Sequence, residues 1–321
     1  MKEPGGSMEL IKSRVILAMP VYNGANYVAQ AIESILAQTH RDFRLIVTDN
    51  ASTDATPDIV GEFAARDERV TLVRNPVNLG ASRNYNLGYD LSDGEYLKWC
   101  AHDDILGPTA LETCIAALDD DPTLAVAFPR TISIGTNGEI LPDMGHDTPS
   151  LMDADPVRRF ADMLDTSGTC YPIFGLMRRS MLSRTMLHQS YYGSDRALLA
   201  EMAVRGRIRR IEQSVIYNRE HEVRSINIDD KLERSRWQSG KSGRFAAAEH
   251  IQLLTHLLRI ASRSKDAASP MALRREVLKR STTKKQLGRY ALEIAAMISP
   301  RLARSLKSMF RSSAKEKLSA A

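Results

Sequence analysis

Cysteine is scarce in this 321-residue chain: Cys100, Cys114 and Cys170 are odd in number and show no metal-ligand spacing. That excludes a disulfide scaffold and argues against a zinc centre, so all three read as reduced thiols. Long apolar runs are missing too. The longest uncharged apolar stretch near the C-terminus, Ile294 to Ile298, falls far short of the roughly 20 residues a spanning helix needs. The opening MKEPGGSMEL is polar and glycine-rich, without the basic-then-apolar shape of a signal peptide, so a cytoplasmic protein is expected. Neither G-x-G-x-x-G nor G-x-x-x-x-G-K-[ST] occurs, which disfavours dinucleotide oxidoreductases and P-loop NTPases.

The composition is otherwise that of an ordinary globular protein, 43% hydrophobic and 26% charged. Its charge is unevenly spread. The formal net charge is +5, yet residues 1–230 carry 23 basic and 33 acidic side chains, against 21 basic and 6 acidic in residues 231–321. A basic end of this kind implies an anionic partner: lipid headgroups, nucleic acid or the acidic part of the chain itself. Three parts are expected. They are a tail (1–12), a main domain (13–230, with halves 13–130 and 131–230) and a helical basic region (231–321).

The first 130 residues alternate short β-rich runs with helix-period runs, the pattern of an α/β fold with a mostly parallel sheet. Strands are expected at Arg14–Met19, stopped by Pro20, and at Phe43–Thr48, Val70–Arg74, Tyr96–Cys100 and Leu124–Phe128. Helices are expected at Asn26–Gln38, after a cap at Thr56, at Ala81–Leu91 and at Thr109–Leu118. Beyond Lys231 an apolar stripe runs through Ile251, Leu254, Leu258 and Ile260. Polar clusters follow three strands: Tyr22-Asn23, Asp49-Asn50 and His102-Asp103-Asp104. Ligands of open α/β sheets bind outside the strands' carboxyl ends, so one composite site is predicted.

Five segments in order carry a family resemblance: MPVYNGANYVAQAIESILAQT, FRLIVTDNASTDAT, VRNPVNLGASRNYNLGYDLSDGEYLKWCAHDDIL, YGSDRALLAEMAVRGRI and NREHEVRS. Together they resemble a family 2 glycosyltransferase of the GT-A fold, over about two thirds of the chain. The resemblance implies that Pro20, Tyr22 and Asn23 hold the nucleotide and that Asp49 reads the base. It implies that Asn78, Gly80 and Arg83 pack on base and ribose, with Gly80 allowing close backbone approach. His102 is assigned to the nucleotide side as well.

The family's Asp-x-Asp-Asp reads Ala101-His102-Asp103-Asp104 here, so the first acid is missing. Asp103 becomes the main carboxylate ligand of Mn²⁺ or Mg²⁺, with His221 as a second contact, and Asp104 supports the loop through backbone hydrogen bonds. Arg224 adds charge for the diphosphate. Asp195 is nominated as catalytic base, and an inverting, metal-dependent transfer follows from the resemblance. UDP is favoured as the donor nucleotide over GDP or dTDP, and the acceptor is a glycan, a lipid-linked sugar or a polysaccharide.

Blander readings stand beside these. Asp49 and Asn50 also fit an Asx turn, and Asp195 also fits a residue that complements a helix dipole. Glu201 is expected on a solvated helix face. His40, His146, His188 and His250 carry no assignment. Arg301–Lys317, cationic with Leu302, Leu306, Met309 and Phe310, suits an anionic membrane surface, and so a peripheral location on its inner face. Two other functions compete: a non-catalytic sugar-nucleotide-binding or scaffolding protein, and a sugar nucleotidyltransferase. The latter normally has a Gly-rich loop with a basic residue after the first strand, which Pro20–Gly24 lacks. Nucleic-acid binding by the tail ranks low, because few aromatics interleave its charges.

Overall fold

The computed structural model describes residues 9–142, 148–166, 170–241, 248–299 and 301–304. The amino-terminal half contains β1 (Ile11–Lys12), β2 (Val15–Val21), α1 (Val28–Leu36), β3 (Arg44–Asp49), α2 (Thr56–Arg66), β4 (Val70–Arg74), α3 (Ala81–Asp90), β5 (Ser92–Asp93), β6 (Tyr96–Trp99), β7 (Ile105–Leu106), α4 (Ala110–Asp120) and β8 (Leu124–Ile134). There follow α5 (Pro156–Asp165), β9 (Leu176–Arg178), α6 (Arg179–Leu182), α7 (Ser194–Arg205), β10 (Arg207–Arg219), α8 (Lys231–Ser239), α9 (Glu249–Arg263), α10 (Pro270–Ser281) and α11 (Lys284–Ile298).

Eight strands form one sheet in the order β4-β3-β2-β6-β9-β8-β10-β7. The first four run parallel, β9 is antiparallel to both its neighbours, and β10 is parallel to β8. From β2 the chain builds outward to β3 and β4 on one side and to β6 on the other. The strand order therefore reverses between β2 and β6, which is where open α/β sheets bind their ligands. Covered on both faces, β2 is an uninterrupted apolar run with all seven residues buried.

Two local expectations change. Pro20 does not stop the first strand, which runs on to Val21. Val21 C=O accepts Asn50 N–H on the β3 side, so the alternate residue Pro20 turns its missing donor towards β6. That strand ends at Trp99, so no ladder bond is lost. Nor is Thr56 the cap of α2; it lies inside the helix, and Asp54 Oδ1 takes its N–H at 3.0 Å.

The basic C-terminal helices pack on the rest of the chain. Leu257, Ile260, Ala261, Leu273 and Val277 share one hydrophobic core with Phe160 of α5 and with Ala197–Val204 of α7. The fully buried edge of α9 runs through His256, Leu257, Ile260 and Ala261, displaced around the helix from the expected stripe. Of the amphipathic stretch Arg301–Lys317, residues 305–317 lie outside the described residues.

Glu293 ties three of these helices together. It accepts from His250 Nδ1 at 2.6 Å, from the backbone N–H groups of His250 and Ile251, and from Lys231 Nζ at 3.1 Å. Lys231 and Arg234 also hold Glu249. Glu249, His250 and Glu293 lie within reach of a common metal ion, but Lys231, which bridges both acids, and Arg234 on Glu249 already supply two countercharges. This is an ion-pair lock. Burial works against the Glu293 carboxylate, yet these hydrogen bonds bring its pKa down from 4.5 to about 2. A depressed carboxyl pKa adds stability above its unfolded value and loses it as pH falls through the folded one. Glu293→Gln is expected to cost about 2 kcal/mol at pH 7. In urea melts the difference should close between pH 4.5 and about 2.

Candidate active site

The metal-site expectation rests on how β7 pairs. After β6 the chain turns through Cys100–Asp104 into β7, which pairs with β10 in the register Leu106↔Ile216 and Ile105↔Tyr217. The next residues of β10 and its loop therefore meet the acidic pair. Asp104 turns inward, where its Oδ1 accepts from Asn218 Nδ2 and Arg219 N, both at 3.0 Å. This supports the loop as expected, and Oδ2 is left buried without a partner. Burial, followed by the neighbouring Asp103 charge, pushes Asp104 up to about 7.

Asp103 faces the other way, and its Oδ2 meets His221 Nε2 at 2.9 Å. Burial opposes its charge, but the His221 hydrogen bond and the nearby His102 bring its pKa below the usual value. His221 leans on Tyr27, with ring centroids 5.0 Å apart, and its Nδ1 is buried without a partner. His102 lies over Gly24, where a Cβ would come within 2.4 Å of the ring.

Sequence reasoning missed the buried Arg219, although NREHEVRS contains it. Its guanidinium bonds the carbonyls of Asp103, Gly135 and Thr136 and Gln30 Oε1, and stacks 4.7 Å over Tyr27. One buried cation thus fixes the backbone that presents Asp103. Arg224 donates to Asn218 Oδ1 at 3.0 Å and pairs with Glu220.

The loops after β2 and β3 form a second polar cluster. Asp49 Oδ1 accepts from Ser52 N, three residues on and so outside an Asx turn, at 3.2 Å; Asp49 also pairs with Arg74 Nε at 3.2 Å, and its side chain is fully covered. Asn23, with φ +51°, accepts from Thr53 N and donates its own N–H to Ser52 Oγ, joining the two loops. Asn50 clamps the Asn78–Gly80 turn. It donates to Asn78 Oδ1 at 2.9 Å and accepts from Leu79 N at 2.8 Å. Tyr22 stands exposed at the rim, and Arg83 points out from α3.

The close backbone approach expected at Gly80 is to another part of the chain. A Cβ there would lie 2.3 Å from Gly240 N and 2.4 Å from Ser239 C at the end of α8, and φ is +82°. Gly80→Ala therefore combines a backbone clash with a conformation that L-residues avoid. The expected loss is roughly 3 kcal/mol, read as a lower urea midpoint.

Asp195 opens α7 after Gly193, whose φ is +86°. Its Oδ1 accepts from Arg196 N at 2.8 Å. Burial raises its pKa, outweighing that hydrogen bond and the Arg196 charge. Asp195, Asn218 and Arg224 line one cavity of about 510 Å³ that reaches α8–α11. Tyr85 also lines it, and its hydroxyl pKa is raised by burial and then by the charges of Asp103, Asp104 and Asp195. Glu201 is not solvated: it is fully buried, and its Oε2 accepts from Met186 N at 2.9 Å. Burial pushes the Cys100 thiol up to about 11 and Cys114 to about 12, unsuited to nucleophiles.

A mostly parallel α/β sheet carries a carboxylate pair at its switch point, and a further carboxylate, Asp195, lines a cavity. The Glycosyl transferase family 2 model matches residues 16–185, and the chain belongs to that family. An uncharacterized glycosyltransferase of Methanocaldococcus jannaschii is 31% identical over 135 residues, 41% of this chain and 47% of the relative. The chondroitin synthase of Pasteurella multocida is 28% identical over 127 residues, 40% of this chain and 13% of the synthase. The match thus spans less than half the length of these curated relatives. Staphylococcus aureus TarS 1-349, crystallised with UDP-GlcNAc, superposes with TM-score 0.56 at 16% identity, covering 91% of this chain and 83% of TarS. The mannosyltransferase PcManGT of Pyrobaculum calidifontis, in complex with GDP-Man and Mn²⁺, gives 0.50 at 17% identity, covering 92% and 87%. The fold is of the GT-A type, with a basic helical C-terminal region.

Proposed function

We propose that this chain transfers a sugar from a nucleoside-diphosphate sugar to the hydroxyl of a glycan, lipid-linked or polysaccharide acceptor, inverting the anomeric configuration. The observation that carries the proposal is Asp195: a half-buried carboxylate with a raised pKa, in one cavity with Asn218 and Arg224, of which Asn218 bonds Asp104, the neighbour of the Asp103 that meets His221. Asp195 takes the acceptor proton while that oxygen bonds to the anomeric carbon and the diphosphate leaves with its bonding electrons. UDP comes first as donor nucleotide, with GDP and dTDP as alternatives. The TarS and PcManGT complexes, which hold UDP-GlcNAc and GDP-Man, support this class of donor.

The donor set fits a divalent cation. Asp103 Oδ2 and His221 Nε2 face each other at hydrogen-bond distance, and an imidazole beside a carboxylate suits Mn²⁺ or Mg²⁺, in that order. When bound, the ion would neutralise charge on the leaving diphosphate. Arg219 holds Asp103 in place through its carbonyl, and Arg224 offers a guanidinium to phosphate oxygens once Glu220 releases it.

No helix among the described residues is long and apolar enough to cross a membrane. A peripheral seat on the inner face of an anionic membrane is supported by α10 and α11. The first exposes Met271 and Leu278 beside Arg274, Arg275 and Lys279; the second exposes Leu287, Ile294 and Ile298 beyond Lys284 and Lys285. Failure to sediment with phosphatidylglycerol vesicles at low salt would end that reading. The transferase reading is tested by calorimetry with UDP, GDP and dTDP and by release of the nucleoside diphosphate from the corresponding sugar nucleotides, each with Mn²⁺, Mg²⁺ or chelator. One nucleotide bound and its sugar turned over is the expected result. Binding without turnover would favour the non-catalytic alternative, and no binding would sink both.

A further inference from the structure

Among the buried polar groups outside the assigned site, His188 is the one that lines the Asp195 cavity and has a ring nitrogen without a hydrogen-bond partner. It is 7% exposed. Its Nε2 is fully buried and unpaired, and Nδ1 makes no hydrogen bond to a described residue. Leaving such a group unsatisfied costs stability, and native chains keep such groups mainly where a ligand or water completes them.

The ring is nonetheless held firmly. Asn86 clamps the His188 backbone from both sides, donating to its carbonyl at 2.9 Å and accepting its N–H at 3.1 Å. The ring lies 4.8 Å from Tyr85 and 4.6 Å, edge-on, from Trp99. Leu187 just before it is forced to φ +52°, a conformation a branched residue adopts only when its surroundings impose it. Buried Glu201 fixes Met186 N, anchoring the same loop to α7. A clamp, a strained leucine and a buried glutamate all act on one imidazole.

Burial lowers its pKa to about 3, so the ring is neutral at physiological pH. A neutral imidazole offers one donor and one acceptor, which serves a hydroxyl from either nitrogen and brings no positive charge to a phosphate. Its location decides which hydroxyl. Trp99 ends the strand that leads into Asp103, and Tyr85 feels Asp103, Asp104 and Asp195 together. His188 therefore lines the cavity that holds Asp195, packed on Tyr85 and on the last residue of the strand that leads to Asp103.

We infer that His188 is a sugar-binding residue: its unpaired ring nitrogen hydrogen-bonds a hydroxyl of the hexose being transferred, and so helps select the donor. This rests on the transferase reading. The test is titration calorimetry with Mn²⁺ on wild type, His188→Phe, His188→Asn and His188→Gln. UDP and GDP are the nucleotide probes, and UDP-GlcNAc, UDP-glucose and GDP-mannose are the sugar-nucleotide probes. Asn places an amide near Nδ1 and Gln near Nε2, whereas Phe keeps the ring packing and removes both nitrogens.

The expected result is at least a tenfold (about one decade) loss of sugar-nucleotide affinity in the Phe variant, with nucleotide affinity held to within about twofold. One of the two amide variants should restore the affinity, and the thermal midpoint of the Phe variant should be unchanged or raised. The inference is overturned if the Phe variant binds the sugar-nucleotide like wild type, or loses nucleotide and sugar-nucleotide affinity in equal measure. Wild type binding none of the five probes would instead bring down the transferase reading itself, and this inference with it.

Discussion

Asp195→Asn is expected to lower turnover by about a thousandfold while leaving nucleotide affinity unchanged. Asparagine keeps the shape of the side chain, and its oxygen can still accept Arg196 N–H, so the start of α7 survives. What is lost is the group that accepts the proton. The pH profile gives an independent check. Burial raises the Asp195 pKa above 3.8, and the charged form is the active one, so the wild-type rate should climb with pH through an inflection above 3.8. The residual rate of the Asn variant should lack that limb. Nucleoside-diphosphate release from the donor, followed across pH, reports both effects. An unchanged rate would leave the helix-dipole role as sufficient explanation for Asp195.

Asp103→Ala is expected to weaken metal-dependent nucleotide binding by about a hundredfold and to leave binding in chelator untouched. The argument is one of orientation. Ala101 offers no ligand, and Asp104 is turned inward by Asn218 and Arg219, so Asp103 is the carboxylate that meets His221. Its side chain makes that one hydrogen bond, while its carbonyl stays on Arg219, so the loop should keep its path. His221→Ala should give a smaller loss, about tenfold, because one imidazole is more easily replaced by water. Calorimetry at matched Mn²⁺ concentrations measures both. Equal affinity in wild type, variant and chelator would mean that a metal-free site binds the diphosphate, with Arg224 as its cation.

Much of the amino-terminal half was legible in the residues. The runs VILAM and LIV are apolar because both faces of their strands are covered, and the i, i+4, i+7, i+8 spacing of Val28, Ile32, Ile35 and Leu36 marks one helix face, of which the first three are buried. These signals lie within one element, so chain order alone carries them. Asp103 and His221, each nominated as a metal contact, lie at hydrogen-bond distance although 118 positions separate them, a proximity that neither segment carries by itself. The strand boundary at Pro20 was misjudged. Whether a missing N–H matters depends on what lies across the ladder.

Gly80 and His188 mark the limit of such reading. A glycine in a loop shows that something comes close; only the packing of α8 reveals that it is the Ser239–Gly240 backbone and not a ligand. Glu201 looked like a surface acid because helical periodicity does not report what lies on the far side of a helix. His188 had no motif around it, and its meaning comes from Asn86, Trp99 and Tyr85, all remote in sequence.

The amino-acid sequence by itself determined the succession of strands and helices, the polar clusters at the strand ends and the family, since propensity, periodicity and motif are properties of neighbouring residues. The tertiary structure alone decided which way Asp104 turns, what Gly80 makes room for, how Glu293 locks the basic helices and why His188 is left unpaired. Each of these depends on desolvation and hydrogen bonding between groups that are distant along the chain, and those energies exist only once the fold has removed the groups from water.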